Sequence, residues 1–233
     1  MHLFYQPDAE IHPFLSEDES RHCVKTLRLA KGAGIDVTDG RGKRHHCLIE
    51  TADARRCTFR IVETDAEPAR PFRIHLAVAP TKNTDRIEWL VEKAVELGVD
   101  RFSFFVSNHS ERRSLKTDRL EKIAVAAMKQ SLQLFLPEIE ALTDFKRLLT
   151  TAADQRYIAH LPDNQPVLDL FHTARPGGTV LVLVGPEGDF SAAELDQALE
   201  NGFKMVTLGK TRLRTETAAL MACHTIHLVN AAR

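Results

Sequence analysis

From Phe72 onward the chain alternates. Short apolar runs, of a length that suits a buried strand, are separated by stretches whose apolar residues recur at helical spacing. Strands are predicted at 72–79, 99–107, 156–160, 179–184 and 203–208. Between the first two, 84–97 carries Ile87, Leu90, Val91, Ala94 and Val95 on one helical face, with Gly98 as its stop. A long helix capped by Thr117 runs through Leu120, Ile123, Ala124 and Ala127 and ends before Pro137, and 143–151 is a short helix. Ser191 with Glu194 three residues on has the spacing of a capping box, for a helix that Gly202 ends. The last helix runs over 215–231. Strands alternating with helices specify a mostly parallel sheet covered on both faces, so the fold class is α/β.

The first 70 residues have a different grain. They read as short strands and turns, with a hairpin about Asp39-Gly40, an alternating strand from Cys57, and a helix over 18–29. Glu67-Pro-Ala-Arg-Pro71 marks the boundary, which gives two domains, 1–70 and 71–233. The formal net charge of the chain is −1, so any nucleic-acid role needs a local patch. The window 21–60 supplies one, with ten Lys or Arg against four acids. A small β-rich module with that excess is either an RNA-binding surface or a solvated basic face. Arg55 and Arg56 are its candidate phosphate contacts.

In parallel α/β sheets, ligands sit beyond the C-terminal ends of the strands. Two glycine-marked turns occupy such places. Gly185-Pro-Glu-Gly-Asp-Phe190 follows the run ending at Val184, and Gly209-Lys-Thr-Arg-Leu-Arg214 leads from Leu208 to a helix at Thr215. Thr215 suits the N-cap and Glu216 the positive end of the helix dipole. Gly188 is read as a position needing φ > 0 or a close backbone approach. An ordinary strand–loop–helix connection with a solvated basic loop remains open for the second of them.

Several chemistries are excluded. Gly209-Lys210-Thr211 mimics the end of a phosphate-binding loop, but the earlier glycine it requires falls at Lys204. There is no Gly-x-Gly-x-x-Gly fingerprint, no Gly-x-Ser-x-Gly elbow and no His-Glu-x-x-His pair, and no metal is expected. Cys23, Cys47, Cys57 and Cys223 form no Cys-x-x-Cys motif and read as reduced, mostly buried thiols of a cytoplasmic protein. No apolar run approaches the ~20 residues of a membrane span, so no membrane partner is expected. What remains is a pair of loops able to hold a polar, ring-bearing cofactor, beside arginines able to face an anionic substrate.

At this point the residues become specific. Gly185-Pro-Glu-Gly188, Leu208-Gly209 and Leu213-Arg-Thr-Glu-Thr-Ala218 together resemble the signature of SPOUT-class RNA methyltransferases, and within it the RsmE family. His22-Cys-Val-Lys-Thr-Leu-Arg28, Lys93-Ala-Val-Glu-Leu-Gly98, Ser110-Glu-Arg-Arg-Ser114, Gln130 and Leu136-Pro-Glu-Ile139 resemble further elements of that family. Two positions depart from its pattern. Asp189 stands where a second glycine is usual, and Leu132-Gln133 stands where a Gly-Arg pair is common.

The resemblance implies a C-terminal SPOUT α/β domain closed by a trefoil knot, a small N-terminal PUA-like β-barrel, and a homodimer. It implies methylation of uridine N3 in 16S ribosomal RNA, presented naked or in the small ribosomal subunit, with S-adenosylmethionine as donor. The cofactor would be held by His160, Leu161, Pro162, Gly185, Pro186, Glu187, Gly188, Leu208, Gly209, Leu213, Thr215, Thr217 and Ala218. Arg214 would stabilise charge developing on the uracil. Glu216 is a candidate base or a simple helix-start carboxylate. Arg28, Lys82, Arg112 and Arg113 are candidate RNA contacts or idle surface cations. A transfer-RNA methyltransferase of the same class and a non-catalytic ribosome-assembly protein share the fold. The intact Leu213–Ala218 and Gly185–Gly188 runs favour catalysis.

Overall fold

The structure, a computed structural model, describes residues 2–161 and 167–231. It divides into two compact units, one of residues 1–69 with 125–136, the other of 70–124 with 137–233.

In the first unit, β1 (Leu3–Tyr5) pairs in parallel with β2 (Gly34–Thr38). Strand β2 pairs antiparallel with β3 (Lys43–Thr51), which pairs antiparallel with β4 (Thr58–Ala66). The loop between β2 and β3 is fixed by Asp39, whose Oδ1 accepts from the amides of Arg41 (2.7 Å) and Lys43 (3.1 Å). Alternate residues of these strands, among them Ile35, Val37, Cys47, Ile49 and Phe59, form the unit's core with Phe4, Leu15, Cys23 and Cys57. Segment 125–136 completes the unit, with Gly42 N–H donating to Leu134 O (2.9 Å) and Leu136 N–H to Gly40 O (2.8 Å). The helix predicted over 18–29 is shorter and changes character. It is α1 (Glu17–Arg21), then one π-helical turn (His22–Thr26), and Arg28 leaves it at φ 55.

The second unit carries seven strands, every pairing parallel. They are β5 (Phe72–Val78), β6 (Arg101–Val106), β7 (Glu138–Ile139), β8 (Thr143–Asp144), β9 (Gln155–Ala159), β10 (Gly178–Val184) and β11 (Lys204–Val206). The order is β11-β9-β10-β5-β6-β7, with β8 also on β6. Strand β10 lies at the centre, and Val180–Val184 is buried on both faces, as its unbroken apolar run requires. Each fully buried Val or Leu there stabilises by roughly 1.5–3 kcal/mol.

Helices cover both faces of this sheet: α2 (Thr84–Glu96), α4 (Phe145–Leu149), α5 (Leu170–Thr173), α6 (Ala192–Glu200) and α7 (Thr215–Ala231), while α3 (Thr117–Gln130) has its first residues in this unit and 125–130 in the first. On one face Ala77, Phe105, Ile158, Leu181 and Leu183 pack with Phe145 and Leu148 of α4 and Ala198 of α6. Helix α7 packs on α2, α5, β5 and β10. The capping box of α6 is complete, with the Ser191 hydroxyl accepting from the Glu194 amide and the Glu194 carboxylate accepting from the Ser191 amide. Strands β7 and β8 and helix α5 were not legible in the sequence, being two to four residues long.

Candidate active site

Strands β9, β10 and β11 are neighbours and parallel, so their C-terminal ends share one edge of the sheet. From β5 the chain goes outward through β6 and returns on the other side to lay down β9, β10 and β11. The ends of β9 and β10 thus lie beside the point where strand order reverses, the place where open parallel sheets leave a crevice. There is a cavity of about 670 Å³ there. Its wall is made by residues that follow the three strands: Ala159–Leu161, Val184–Asp189, and the loop from Thr207 to the start of α7.

The predicted cofactor residues His160, Leu161, Gly185, Pro186, Glu187, Gly188, Leu208, Gly209, Leu213, Thr215 and Ala218 all line this cavity. Thr217 does not, and Pro162 lies outside the described residues. Arg214 lines it too, exposed, and among the described residues its guanidinium has no hydrogen-bond or ion-pair partner. Thr207, Thr211, Arg212 and Asp189 also contribute to the wall. Their only sequence signal was their place beside the glycine turns.

Three sets of contacts fix the wall. The first is the turn after β10. The Asp189 amide donates to Pro186 O (3.0 Å), and Phe190 drives into the core, 6.1 Å from the Phe105 ring and 5.8 Å from Phe145. Gly188 is not in the left-handed region, contrary to one half of the expectation; the left-handed residue is Asp189, at φ 60. A Cβ on Gly188 would stand 3.0 Å from the Cβ of His109, so glycine is needed for close packing of that loop. The His109 ring donates from Nδ1 to the carbonyls of Gly188 (2.9 Å) and Asp189 (3.0 Å).

The second set ties this turn to the last helix. Thr215 is buried, and its hydroxyl donates to Gly185 O at 3.0 Å. It therefore does not act as the expected N-cap; it is the first helical residue and spends its proton across the pocket. The third set ties the turn to the loop after β9, where Nδ1 of His160 meets Oδ2 of Asp189 at 2.9 Å. Gly209, at φ 150, takes a backbone that L side chains rarely adopt.

Glu216 is not part of the cavity wall. Its side chain is 9% exposed, with Oε1 3.8 Å from Arg86 Nε of α2. Among the described residues Oε2 is buried without a partner. Arg86 also stands 4.0 Å from Glu187, so it bridges a wall residue and Glu216. Sequence reasoning missed Arg86, because nothing on its own helix marks it.

The candidate RNA residues separate. Arg112 donates to the backbone carbonyls of Thr81 (3.0 Å) and Lys82 (2.5 Å), so its guanidinium braces two loops. Lys82 pairs with Glu111 at 3.1 Å, and Arg113 is exposed. In the first unit Arg28 and Arg55 are exposed, and Arg56 lies 4.1 Å above the Phe14 ring. Part of the local charge excess is cancelled by acids at its edges, Glu17 on Arg21, Glu10 on Lys43 and Asp8 on Arg41. Among the described residues Lys25, Arg28, Lys31, Arg55 and Arg60 remain exposed cations without an ion pair.

Residues 68–227 match the family model of an RNA methyltransferase domain, and residues 15–62 that of an RNA methyltransferase PUA domain. The chain is 30% identical over 225 residues to ribosomal RNA small subunit methyltransferase E of Aquifex aeolicus, across 94% of this chain and 96% of that one. Among solved structures it is similar to a probable rRNA-methyltransferase from Porphyromonas gingivalis, with TM-score 0.93, 42% identity and coverage of 100% and 99%. It is also similar to the ribosomal RNA small subunit methyltransferase E of Neisseria gonorrhoeae bound to S-adenosylmethionine, with TM-score 0.88, 29% identity and coverage of 99% and 98%.

Proposed function

The chain belongs to the RNA methyltransferase family whose members include the ribosomal RNA small subunit methyltransferases E, and from that premise we propose that it methylates N3 of a uridine in 16S ribosomal RNA with S-adenosylmethionine as donor. The observation that carries this reading is the composition of the cavity after β9, β10 and β11. Its volume of about 670 Å³ falls within the roughly 300–1,000 Å³ usual for ligand pockets. Its wall mixes the carboxylates of Glu187 and Asp189 with the guanidiniums of Arg212 and Arg214 and the amides of two glycine turns. That mixture fits a ligand carrying a sulfonium, an ammonium and a carboxylate together.

In this reading His160–Leu161, Gly185–Gly188, Leu208–Gly209, Leu213, Thr215 and Ala218 hold the donor, most of them through backbone. S-adenosylmethionine supplies an electrophilic methyl group there. Arg214 faces a carbonyl oxygen of the uracil and stabilises the charge that develops as N3 loses its proton, which a guanidinium does without losing its own. N3 lies on the pairing edge, so the base must be presented unpaired.

The free cations of the first unit contact phosphate, and the protein works as a cytoplasmic homodimer. Support for the dimer comes from apolar side chains left exposed on α7 and about α5: Met221, Leu228, Leu168 and Phe171. Sedimentation as a monomer at micromolar concentration would remove that part. The main test is mass mapping of ribosomal RNA from cells with and without the gene. The expected result is loss of one methyl group on uridine N3 of the small-subunit RNA. A methyl group on carbon 5 or on a ribose oxygen would overturn the reading.

A further inference from the structure

Methylation at N3 requires that the proton on N3 go somewhere. We propose that His160 accepts it, with Asp189 as the residue that positions the imidazole; the proposal rests on the methyl-transfer reading above.

Three side chains of the signature region besides Asp189 can take a proton, and the geometry separates them. Glu187 is in the wall but 42% exposed, with Oε1 only 4.0 Å from the Arg86 guanidinium and, among the described residues, no group that orients it. Glu216 is outside the cavity wall, largely buried, with one oxygen turned towards Arg86. His160 is in the wall, directly after β9, and 16% exposed, so the ring is largely held. Its Nδ1 lies 2.9 Å from Asp189 Oδ2. An ionised carboxylate only accepts, so Nδ1 carries the hydrogen and the neutral ring keeps its lone pair on Nε2. Among the described residues Nε2 has no partner.

Asp189 is itself held at both oxygens. Oδ2 takes the imidazole, and Oδ1 accepts from the amide of Phe190 at 2.8 Å. Phe190 is anchored in the core, so the carboxylate cannot swing away without losing that bond. The backbone at Asp189 is left-handed, φ 60, a conformation unfavourable for an L residue, which aspartate tolerates better than most. A non-glycine residue kept there, with its side chain used twice, is the kind of outlier that marks a working position. The other charged groups on the wall are Glu187, Arg212 and Arg214, while His109 binds the backbone carbonyls of Gly188 and Asp189.

The step balances. Nε2 of His160 takes the N3 proton, and the N–H pair becomes the lone pair that forms the new N–CH3 bond. The pair of the broken C–S bond stays on sulfur, which passes from sulfonium to thioether. Asp189 stabilises the imidazolium until its proton leaves to solvent, as a carboxylate does behind a catalytic histidine.

The test uses the full chain with bound cofactor and small subunits that lack the methyl group. Nitrogen-15 spectra of labelled histidine report the tautomer, calorimetry reports cofactor affinity, and single turnovers at saturating cofactor report the chemical step across pH. The spectra should show His160 with hydrogen on Nδ1, a state that Asp189→Asn disturbs. His160→Gln should lose on the order of 100-fold or more in rate at saturating cofactor, beyond any loss of affinity at this wall residue, and its rate should then climb steadily with pH as hydroxide replaces the lost base. Asp189→Asn should lose less and move the inflection of the pH profile. The proposal is overturned by a wild-type pH profile in His160→Gln, by hydrogen on Nε2 in the wild type, or by a His160→Gln rate at saturating cofactor that matches the wild type. Should His160→Gln fail to bind cofactor, an unchanged tautomer and profile in Asp189→Asn overturn it alone. Failure of the underlying reading is seen separately, as a wild-type product not methylated at N3.

Discussion

Replacing His75 with glutamine should remove a defined part of the protein's acid sensitivity. His75 is 3% exposed in β5, and its Nε2 lies 2.7 Å from Ser103 Oγ in β6. Ser103 donates its one hydroxyl proton to Glu140, which also pairs with Arg101, so Nε2 of His75 carries a hydrogen and donates to Ser103. Burial first, and then the Arg101 charge, push its pKa down from 6.5 to about 4. A histidine whose folded pKa is depressed takes its proton in the unfolded chain first. Stability is therefore complete above pH 6.5 and drains as pH falls towards 4. With 1.36 kcal/mol per pKa unit, the loss is about 2 kcal/mol by pH 5 and about 3 kcal/mol by pH 4. His227 and His45 also have lowered pKa values through burial, but they titrate equally in both proteins. The comparison is urea unfolding at pH 8, 6 and 5, followed by fluorescence of Trp89, the single tryptophan and a residue of the same unit. Glutamine keeps a donor for Ser103, so His75→Gln should show a pH dependence shallower by about 2 kcal/mol at pH 5. Parallel loss in the two proteins would refute the argument that this ring is kept neutral by its surroundings.

Arg214→Lys keeps the charge and loses the planar fork, so single-turnover methylation should fall on the order of 100-fold while calorimetric cofactor affinity survives; near-normal turnover would remove Arg214 from the chemistry. Reversing Arg55 and Arg56 to Glu should weaken RNA binding and flatten its dependence on log salt by about one to two, since each phosphate contact contributes about 0.9; an unchanged slope would mean that the basic face is merely solvated. Gly188→Val places a branched Cβ against the Cβ of His109, 3.0 Å away. The overpacking should cost roughly 1–3 kcal/mol and lower cofactor affinity in proportion, as calorimetry would show; wild-type affinity would place this turn outside the binding surface.

The sheet was legible because its strands are long apolar runs set between long amphipathic helices, and the α6 capping box because it needs only two residues three apart. The cavity was legible because parallel strands deliver their loops to one edge, and glycines mark two of those loops. Contacts across long stretches of chain left no local trace. His109 reaches a carbonyl 79 residues away, and Arg86 meets Glu216 only because α2 and α7 pack together. Thr215 misled for a related reason. A threonine before an apolar run looks like a cap, yet a carbonyl offered by the turn after β10 takes its hydroxyl instead.

The two departures from the family pattern show what a sequence can hide in a single substitution. Helices α2, α3 and α6 end in the same way. The residue past the cap donates to the carbonyl three back, and the next residue to the carbonyl five back: Gly98 and Val99, Leu132 and Gln133, Gly202 and Phe203. Two of these ends use glycine, at φ 81 and φ 79, and the third forces Leu132 to φ 59 with its side chain 45% exposed. Asp189 likewise holds a left-handed backbone where glycine is usual, at φ 60. In both places the chain takes the bend without the residue that suits it best. The side chains then part company. Nothing polar at Leu132 gains from the bend, whereas the Asp189 carboxylate holds the Phe190 amide with one oxygen and His160 with the other. A cost of similar size thus yields only a helix end at one position, and at the other an oriented imidazole in the wall of the cavity.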